Sequence, residues 1–193
     1  MRDNINELIN ADITKRLSEH RLHHSFCVAE SARELSIKYG GEPETMYTAG
    51  LAHDVLKELK KEEFDAFFAA EKIELTAVEK SAPKLWHAIA AARYLEKQYS
   101  LHGDIIRAVR YHTTGRAGMT TAEKILFIAD FISADRDYDG VEDMRERAER
   151  SLEEAMEEGL RFTIAELAAA NRPIHPDTVA AYNEILTEGH KNG

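Results

Sequence analysis

The segment Ala49-Gly50-Leu51-Ala52-His53-Asp54-Val55-Leu56-Lys57 constrains this chain more than any other. Its apolar residues read as a helix entering a core, and a core has no ordinary use for an imidazole beside a carboxylate. Burying either group unpaired is costly, and a buried ion must be paired or bound to a metal. Isolated polar groups recur on other apolar segments as His24, His87, His112 and Asp130. Imidazole and carboxylate together suit iron, manganese, zinc or cobalt. A lone His on an apolar helix is more often a satisfied core residue than a ligand. The recurrence from segment to segment is what predicts one metal site assembled from many helices. Asp54 can offer two oxygens and bridge two metals, and the whole set exceeds what one catalytic metal with open positions needs. His20, His23, His102, His175 and His190 read as surface or packing residues, although chemistry alone does not separate His23 from His24.

The apolar spacing is helical nearly everywhere. Ile5, Leu8, Ile9, Ile13 and Leu17 form one stripe. A second helix is expected over about 18–39, stopped by Gly40-Gly41. Pro43 opens a third that contains His53-Asp54. A short helix over 61–70, a mobile loop over 76–83 and a helix over 84–99 carrying His87 follow. Asp104 is expected to cap a helix ending near His112, before a loop over 113–118. Thr120 with Glu123 is a capping-box pattern opening the helix of Asp130. After a polar turn over 133–140, a charged helix from 141 to about 171 is expected to bend at Gly159, and 178–186 closes the chain. The predicted fold is all-α, one helical-bundle domain over 1–193. Its core lies at about 18–140, with helix 3–17 and helices 141–190 packed on it.

With 193 residues the chain is long enough for one domain with a real core. Its single cysteine, Cys27, forbids an internal disulfide and fits a reducing compartment. The polar N-terminus lacks the apolar stretch of a signal peptide, and no apolar run approaches the ~20 residues of a membrane span. A cytoplasmic location is expected. The formal charge of −10 disfavours nonspecific binding to nucleic acid or to anionic membranes. A small anionic substrate remains compatible where metal and a few basic residues make a local positive site.

The order His24…His53-Asp54…Asp130 resembles the HD-domain superfamily of metal-dependent phosphohydrolases. The segments 49–57, His112-Thr113-Thr114-Gly115 and 123–132 followed by Arg136 look like the YqeK-type members, which cleave diadenosine tetraphosphate symmetrically into two ADP. The resemblance runs from about Arg21 to Arg147 and continues through Arg172-Pro173-Ile174-His175-Pro176. It selects His24 over His23 as the first ligand, because that ligand directly precedes a small residue, here Ser25. It implies that His87 and His112 complete a site for two divalent transition metals bridged by Asp54. Iron is implied foremost, with manganese or another divalent metal as alternatives. The chain departs from the pattern at Ala88-Ile89-Ala90-Ala91-Ala92, where a glycine is expected, and at Ser133-Ala134-Asp135, where relatives often carry Glu-Pro-Gly.

The expected reaction is attack of a metal-bridging hydroxide on the tetraphosphate, with Asp54, Lys57 and Arg136 as the catalytic set. Lys57 falls on the face of His53 and Asp54, and Arg136 has the planar fork that suits phosphate. The alternative for Arg136 is an ion pair with Asp135 or Asp139. Thr113, Thr114, Gly115, Arg136 and Asp135 are the expected substrate-side residues. Thr113–Gly115 equally fit an ordinary helix C-terminus, and Asp135 an orienting role toward Arg136 or a metal-bound water. Trp86 and Tyr111 read as core. The charged run from Arg145 to Glu158 reads as a solvated helix face, and Cys27 as a small buried residue. Two competing readings stand. One is an HD-type hydrolase of another nucleotide: a nucleoside monophosphate, a guanosine polyphosphate or a cyclic dinucleotide. The other is a non-catalytic scaffold stabilised by metal. The expected partner is a small nucleotide, with neither nucleic acid nor membrane, and the resemblance suggests a homodimer.

Overall fold

A computed structural model describes residues 2–189; Met1 and residues 190–193, His190 among them, lie outside the described residues. Among the described residues there are only helices and turns. In chain order the helices are α1 (Arg2–Arg16), α2 (Glu19–Tyr39), α3 (Pro43–Ala52), α4 (Lys61–Glu71), α5 (Ala77–Ser81), α6 (Trp86–Tyr99), α7 (Asp104–Tyr111), α8 (Thr121–Ile132), α9 (Val141–Arg150), α10 (Leu152–Ala169) and α11 (Pro176–Gly189). A short 3-10 turn, Pro83–Leu85, leads into α6. None of the described helices is long and apolar enough to cross a membrane.

The central helices are α2, α3, α7 and α8, with α6 against α7, α1 on α3, and α9 and α10 on α8. One buried apolar cluster runs from Ile9 on α1 to Ala181 on α11. In the N-terminal stripe, Ile9 and Ile13 are fully buried and Leu17 nearly so, whereas Leu8 is 51% exposed. Leu8 directly precedes Ile9 and so points about 100° away from it round the helix. The pair α2–α3 makes the most intimate contact. A Cβ on Gly50 would lie 2.6 Å from the Cα of Ala29 and 2.8 Å from its nitrogen. Glycine is required there because backbone meets backbone, and this contact sets the distance between the helix of His24 and the end that carries His53.

Several boundaries differ from the sequence-based expectation. The helix opened by Pro43 ends at Ala52, and His53 is its C-cap. Beyond it the chain tightens into three-residue turns, Val55 N–H to Ala52 O at 3.1 Å and Lys57 N–H to Asp54 O at 2.8 Å. Part of the expected loop over 76–83 is α5, opened by a capping box in which Thr76 and Glu79 bond each other's backbone. Gly103, at φ +62°, caps α7, while Asp104 lies inside its first turn and pairs with Arg107 at 2.6 Å. The charged segment stays helical through Gly159. It breaks at Ser151, whose extended backbone and hydroxyl cap α10. Gly159 instead makes room for Phe127, 3.1 Å from where its Cβ would be.

Helix α8, which carries Asp130, is anchored by the capping box predicted at Thr120. Glu123 is fully buried; its Oε2 accepts from Thr120 N at 2.8 Å, and its two oxygens accept from Arg116 Nε at 2.7 Å and Nη2 at 2.8 Å. Burial alone would raise the Glu123 pKa, but Arg116 and the Thr120 N–H hold it below the usual carboxylate value. A depressed folded-state pKa contributes stability above the unfolded value, about 4.3, that is lost as the pH falls through the folded pKa. Glu123→Gln should therefore cost on the order of 3 kcal/mol at pH 7, and its melting temperature should fall less steeply than the parent's on acidification below pH ~4.3. Parallel slopes in thermal melts across that range would contradict this account. Gly50→Ala should cost about 1–3 kcal/mol through overpacking against α2, read by chemical denaturation.

Candidate metal centre

The six candidate ligands arrive from five elements: His24 from α2, His53 and Asp54 from the end of α3, His87 from the first turn of α6, His112 from the C-cap of α7, and Asp130 from α8. His24, His53, Asp54, His87 and His112 are all at most 3% exposed. The imidazole Nε2 atoms converge on two carboxylates. His24 Nε2 lies 3.0 Å from Asp130 Oδ1, and His53 Nε2 3.6 Å from Asp54 Oδ2. His87 and His112 Nε2 lie 3.1 and 3.6 Å from Asp54 Oδ1. Two tight groups result: His24, His53 and Asp130, and His53, Asp54 and His112, each with ligand atoms within 4.8 Å of one another. His23 is exposed and bonded to Cys27, so the fold places His24, and not His23, in the cluster.

The opposite nitrogens fix the tautomers. His53 Nδ1–H donates to Gly50 O at 2.6 Å, His112 Nδ1–H to Val109 O at 2.8 Å, and His24 Nδ1–H to Asp135 Oδ2 at 2.8 Å. Each Nε2 is therefore the lone-pair side, aimed at carboxylate oxygens. Burial pushes the His53 pKa down to about 3 and the His87 pKa down to about 4, against the pull of Asp54. Burial also disfavours charge on His24, but Asp130 and then Asp135 overcome it and raise its pKa. Burial likewise opposes ionised Asp54 and Asp130. His53 and His87 hold Asp54 well below the usual value, and His24 does the same for Asp130. A neutral imidazole facing an ionised carboxylate sets acceptor against acceptor, and His53 Nε2 is buried with no hydrogen-bond partner. A divalent cation is what this donor set fits.

Basic residues gather at the rim. Lys57 Nζ lies 3.3 Å from Asp54 Oδ1 and 3.0 Å from His87 Nε2. Arg136 pairs with the Asp130 carboxylate, donates from Nε to Asp130 O at 2.7 Å and lies 3.4 Å from His24 Nε2. Its ion pair is thus with a candidate ligand, not with Asp135 or Asp139. Asp135 orients His24, and Ser133 Oγ holds it at 2.7 Å. Thr114 Oγ1 donates to Gly115 O, and Gly115 N to Tyr111 O, so both are spent inside the turn; Thr113 Oγ1 is buried without a partner. Trp86 is core, its Nε1–H donating to Glu79 O at 2.7 Å. Arg21, Lys57, Lys61, Lys84, His87 and Arg136 line a cleft of about 610 Å³ beside the cluster.

Arg21 is a further cation at the site, beyond those the sequence analysis names. Its Nη1 is 3.9 Å from Asp54 Oδ2, and its place three residues before His24 on one helix face was the available signal. Arg145 also does more than a solvated face requires. It donates to Ile132 O at 3.0 Å, Ser133 O at 2.9 Å and Arg136 O at 3.0 Å, bracing the turn that holds Asp135 and Arg136. No local sequence pattern marks that reach.

This convergence of histidines and aspartates from separate helices is the arrangement of an HD domain. The HD-domain family model matches residues 21–135, and the chain belongs to that family. Within it, the chain is 34% identical over 92% of its length, and 95% of the relative's, to a Bacillus subtilis protein named "Bis(5'-nucleosyl)-tetraphosphatase, symmetrical". A protein of the same name from Halalkalibacterium halodurans is 36% identical over 91% of this chain and 94% of its own. The fold superposes with a TM-score of 0.90 on a crystal structure from Clostridium acetobutylicum described as a "predicted HD superfamily hydrolase involved in NAD metabolism". That structure is 30% identical and covers 94% of this chain and 97% of its own. Membership and the His/Asp clusters together make this a divalent-metal-binding protein.

Metal content measured by elemental analysis should fall sharply in Asp54→Ala and His24→Ala and stay near the parent's in His23→Ala. Full metal content in Asp54→Ala would remove that residue from the centre. Because the ligands come from distant segments, chelation should also lower the melting temperature.

Proposed function

We propose that the protein hydrolyses diadenosine tetraphosphate symmetrically to two ADP, with two divalent transition-metal ions held by His24, His53, Asp54, His87, His112 and Asp130. Iron is the first candidate and manganese the second. The observation that carries the reading is the cationic cleft set directly against the ligand cluster, in a chain whose net charge is −10. A polyphosphate is the ligand such a cleft attracts. The names of the tetraphosphatase relatives support the substrate.

Bound divalent metals supply a nucleophile from water at neutral pH and polarise phosphoryl oxygens. The protein's own contribution is position and charge. Asp54 faces His53 with one oxygen and His87 and His112 with the other, which suits a bridging role. Lys57 stands at the cleft edge of that carboxylate, where its ammonium meets negative charge developing on phosphate. Arg136 offers its planar fork from the α8 side. Asp135 keeps His24 in the ligating tautomer and so acts through it. The Thr113–Thr114–Gly115 turn borders the substrate, with Thr113 contributing the free hydroxyl. A structural metal site would need neither the cleft nor Lys57 at its edge. The lone cysteine supports a cytoplasmic location, and family resemblance supports a homodimer, which sedimentation of the purified protein checks.

The test is a product assay on metal-replete protein with dinucleoside polyphosphates, guanosine polyphosphates, cyclic dinucleotides and mononucleotides. Diadenosine tetraphosphate should be preferred and ADP the sole product. Lys57→Ala and Arg136→Ala should keep their helical signal and lose on the order of 10² in kcat/KM. Lys57→Arg should not restore full activity, since the two cations differ in shape and reach. Turnover of a mononucleotide in preference, or parent-like rates in both alanine variants, would overturn the proposal.

A further inference from the structure

The turn 133–136 carries one residue for each half of the site. On the metal side, Asp135 Oδ2 accepts from His24 Nδ1 at 2.8 Å. On the cleft side, Arg136 pairs with the Asp130 carboxylate and lines the cationic cleft. The turn follows the C-terminus of α8, where the last carbonyls of a helix have no partner inside it. Its main chain is tied by Ser133 N–H to Ala129 O at 3.0 Å and Arg136 N–H to Ser133 O at 2.9 Å. The remaining carbonyls are met by side chains. Arg136 Nε takes Asp130 O at 2.7 Å, and Arg145, from α9, takes three more. Its Nε donates to Ile132 O at 3.0 Å, and its Nη2 to Ser133 O at 2.9 Å and Arg136 O at 3.0 Å.

The Arg145 guanidinium is engaged on every side. Its Nη1 pairs with Glu142, three residues earlier on α9, which leaves Nε and Nη2 for the turn. Three carbonyls fanned in this way suit a planar fork with fixed N–H directions, and an ammonium cannot reproduce it. None of these bonds goes to a candidate ligand. Nor does α9 need Arg145 in order to dock, because Val141, Met144 and Ala148 are its buried face. Arg145 lines a separate surface cleft of about 430 Å³, together with Ile132 and Ala134, and this cleft shares no lining residue with the cationic one.

We propose that Arg145 is a positioning residue that sets the metal-side Asp135 and the substrate-side Arg136 together, through the main-chain carbonyls of the turn that carries them. Without the fork those carbonyls turn to water and the turn gains other conformations. His24 then loses a fixed acceptor and Arg136 loses its aim at the phosphate, so one residue that touches neither imidazole nor substrate acts on both. The kinetic consequence rests on the proposed reaction, whereas the consequence for metal binding stands without turnover. Arg145, read from sequence as part of a solvated face, becomes on this account the link between the two halves of the site.

The experiment is calorimetric titration of metal-free protein with Mn²⁺, alongside steady-state kinetics of metal-saturated protein on diadenosine tetraphosphate. Arg145→Ala should weaken Mn²⁺ binding about tenfold, the lower end of what losing a ligand's support costs, and lower kcat more than it raises KM. Arg145→Lys keeps the charge without the fork and should show most of both losses. The double variant Asp135→Asn, Arg145→Ala should bind Mn²⁺ no more weakly than Asp135→Asn alone, because both changes act through one contact. Added guanidinium ion, which can enter from the surface cleft, should restore part of the kcat of Arg145→Ala. Arg147→Ala, which removes an exposed pair with Asp143 on the same helix, should match the parent in both measurements. Should Arg145→Ala melt early, Arg145→Lys carries the test. Parent-like Mn²⁺ affinity and kcat in Arg145→Lys overturn the positioning role, as do losses in Mn²⁺ affinity that add fully in the double variant. A parent that hydrolyses no dinucleoside polyphosphate, with the expected Mn²⁺ pattern in the variants, overturns the reaction and keeps the positioning of His24. A parent that hydrolyses with kcat and Mn²⁺ affinity unmoved by the Arg145 variants overturns the positioning role and keeps the reaction.

Discussion

Asp54 is 1% exposed, ionised, and surrounded by the imidazoles of His53, His87 and His112. An uncompensated carboxylate at that depth would cost several kcal/mol. The rest of the molecule is arranged so that the cost is met. The close α2–α3 contact at Gly50 brings His24 toward His53, α7 and α8 deliver His112 and Asp130, and Lys57 and Arg21 approach from the open side. Fold and site are thus not separable. The helices pack at the distances that let their polar ends meet, and the apolar cluster around them excludes the water that would weaken each interaction.

Most of this was legible in the sequence because two signals are strong in it. Helical periodicity and the Gly40-Gly41 stop locate α2. The buried-polar anomaly locates the candidate ligands, since each is an ionisable residue on a segment that otherwise has every reason to be core. The misplacements have physical causes. His53-Asp54 lies just past α3 because tight three-residue turns continue the same apolar run and preserve its local spacing. The helix α5 falls inside the expected loop although Thr76 and Glu79 form the same capping pattern as Thr120 and Glu123. The break at Ser151 hides in a charged stretch whose composition favours helix on both sides.

What could not be read from spacing is what happens between distant segments. The reach of Arg145 across to Ser133 and Arg136, the orienting of His24 by Asp135, and the burial of His175 beneath Glu79 all join residues far apart in the chain. Long polar side chains find partners wherever tertiary structure supplies them, and their local neighbours do not say where. The rim of the site was therefore less legible than its centre.

The tautomer supports have an evolutionary consequence. His53 and His112 are held by the carbonyls of Gly50 and Val109, which no side-chain substitution removes. His24 is held by a side chain, Asp135. Among these three candidate ligands, only His24 can have its basicity retuned by a point mutation in its support. Among the three, the inexpensive entrance for drift in metal preference, or for selection of a different metal in a new habitat, is the codon for residue 135. The other two imidazoles keep their character for as long as the helices keep their ends.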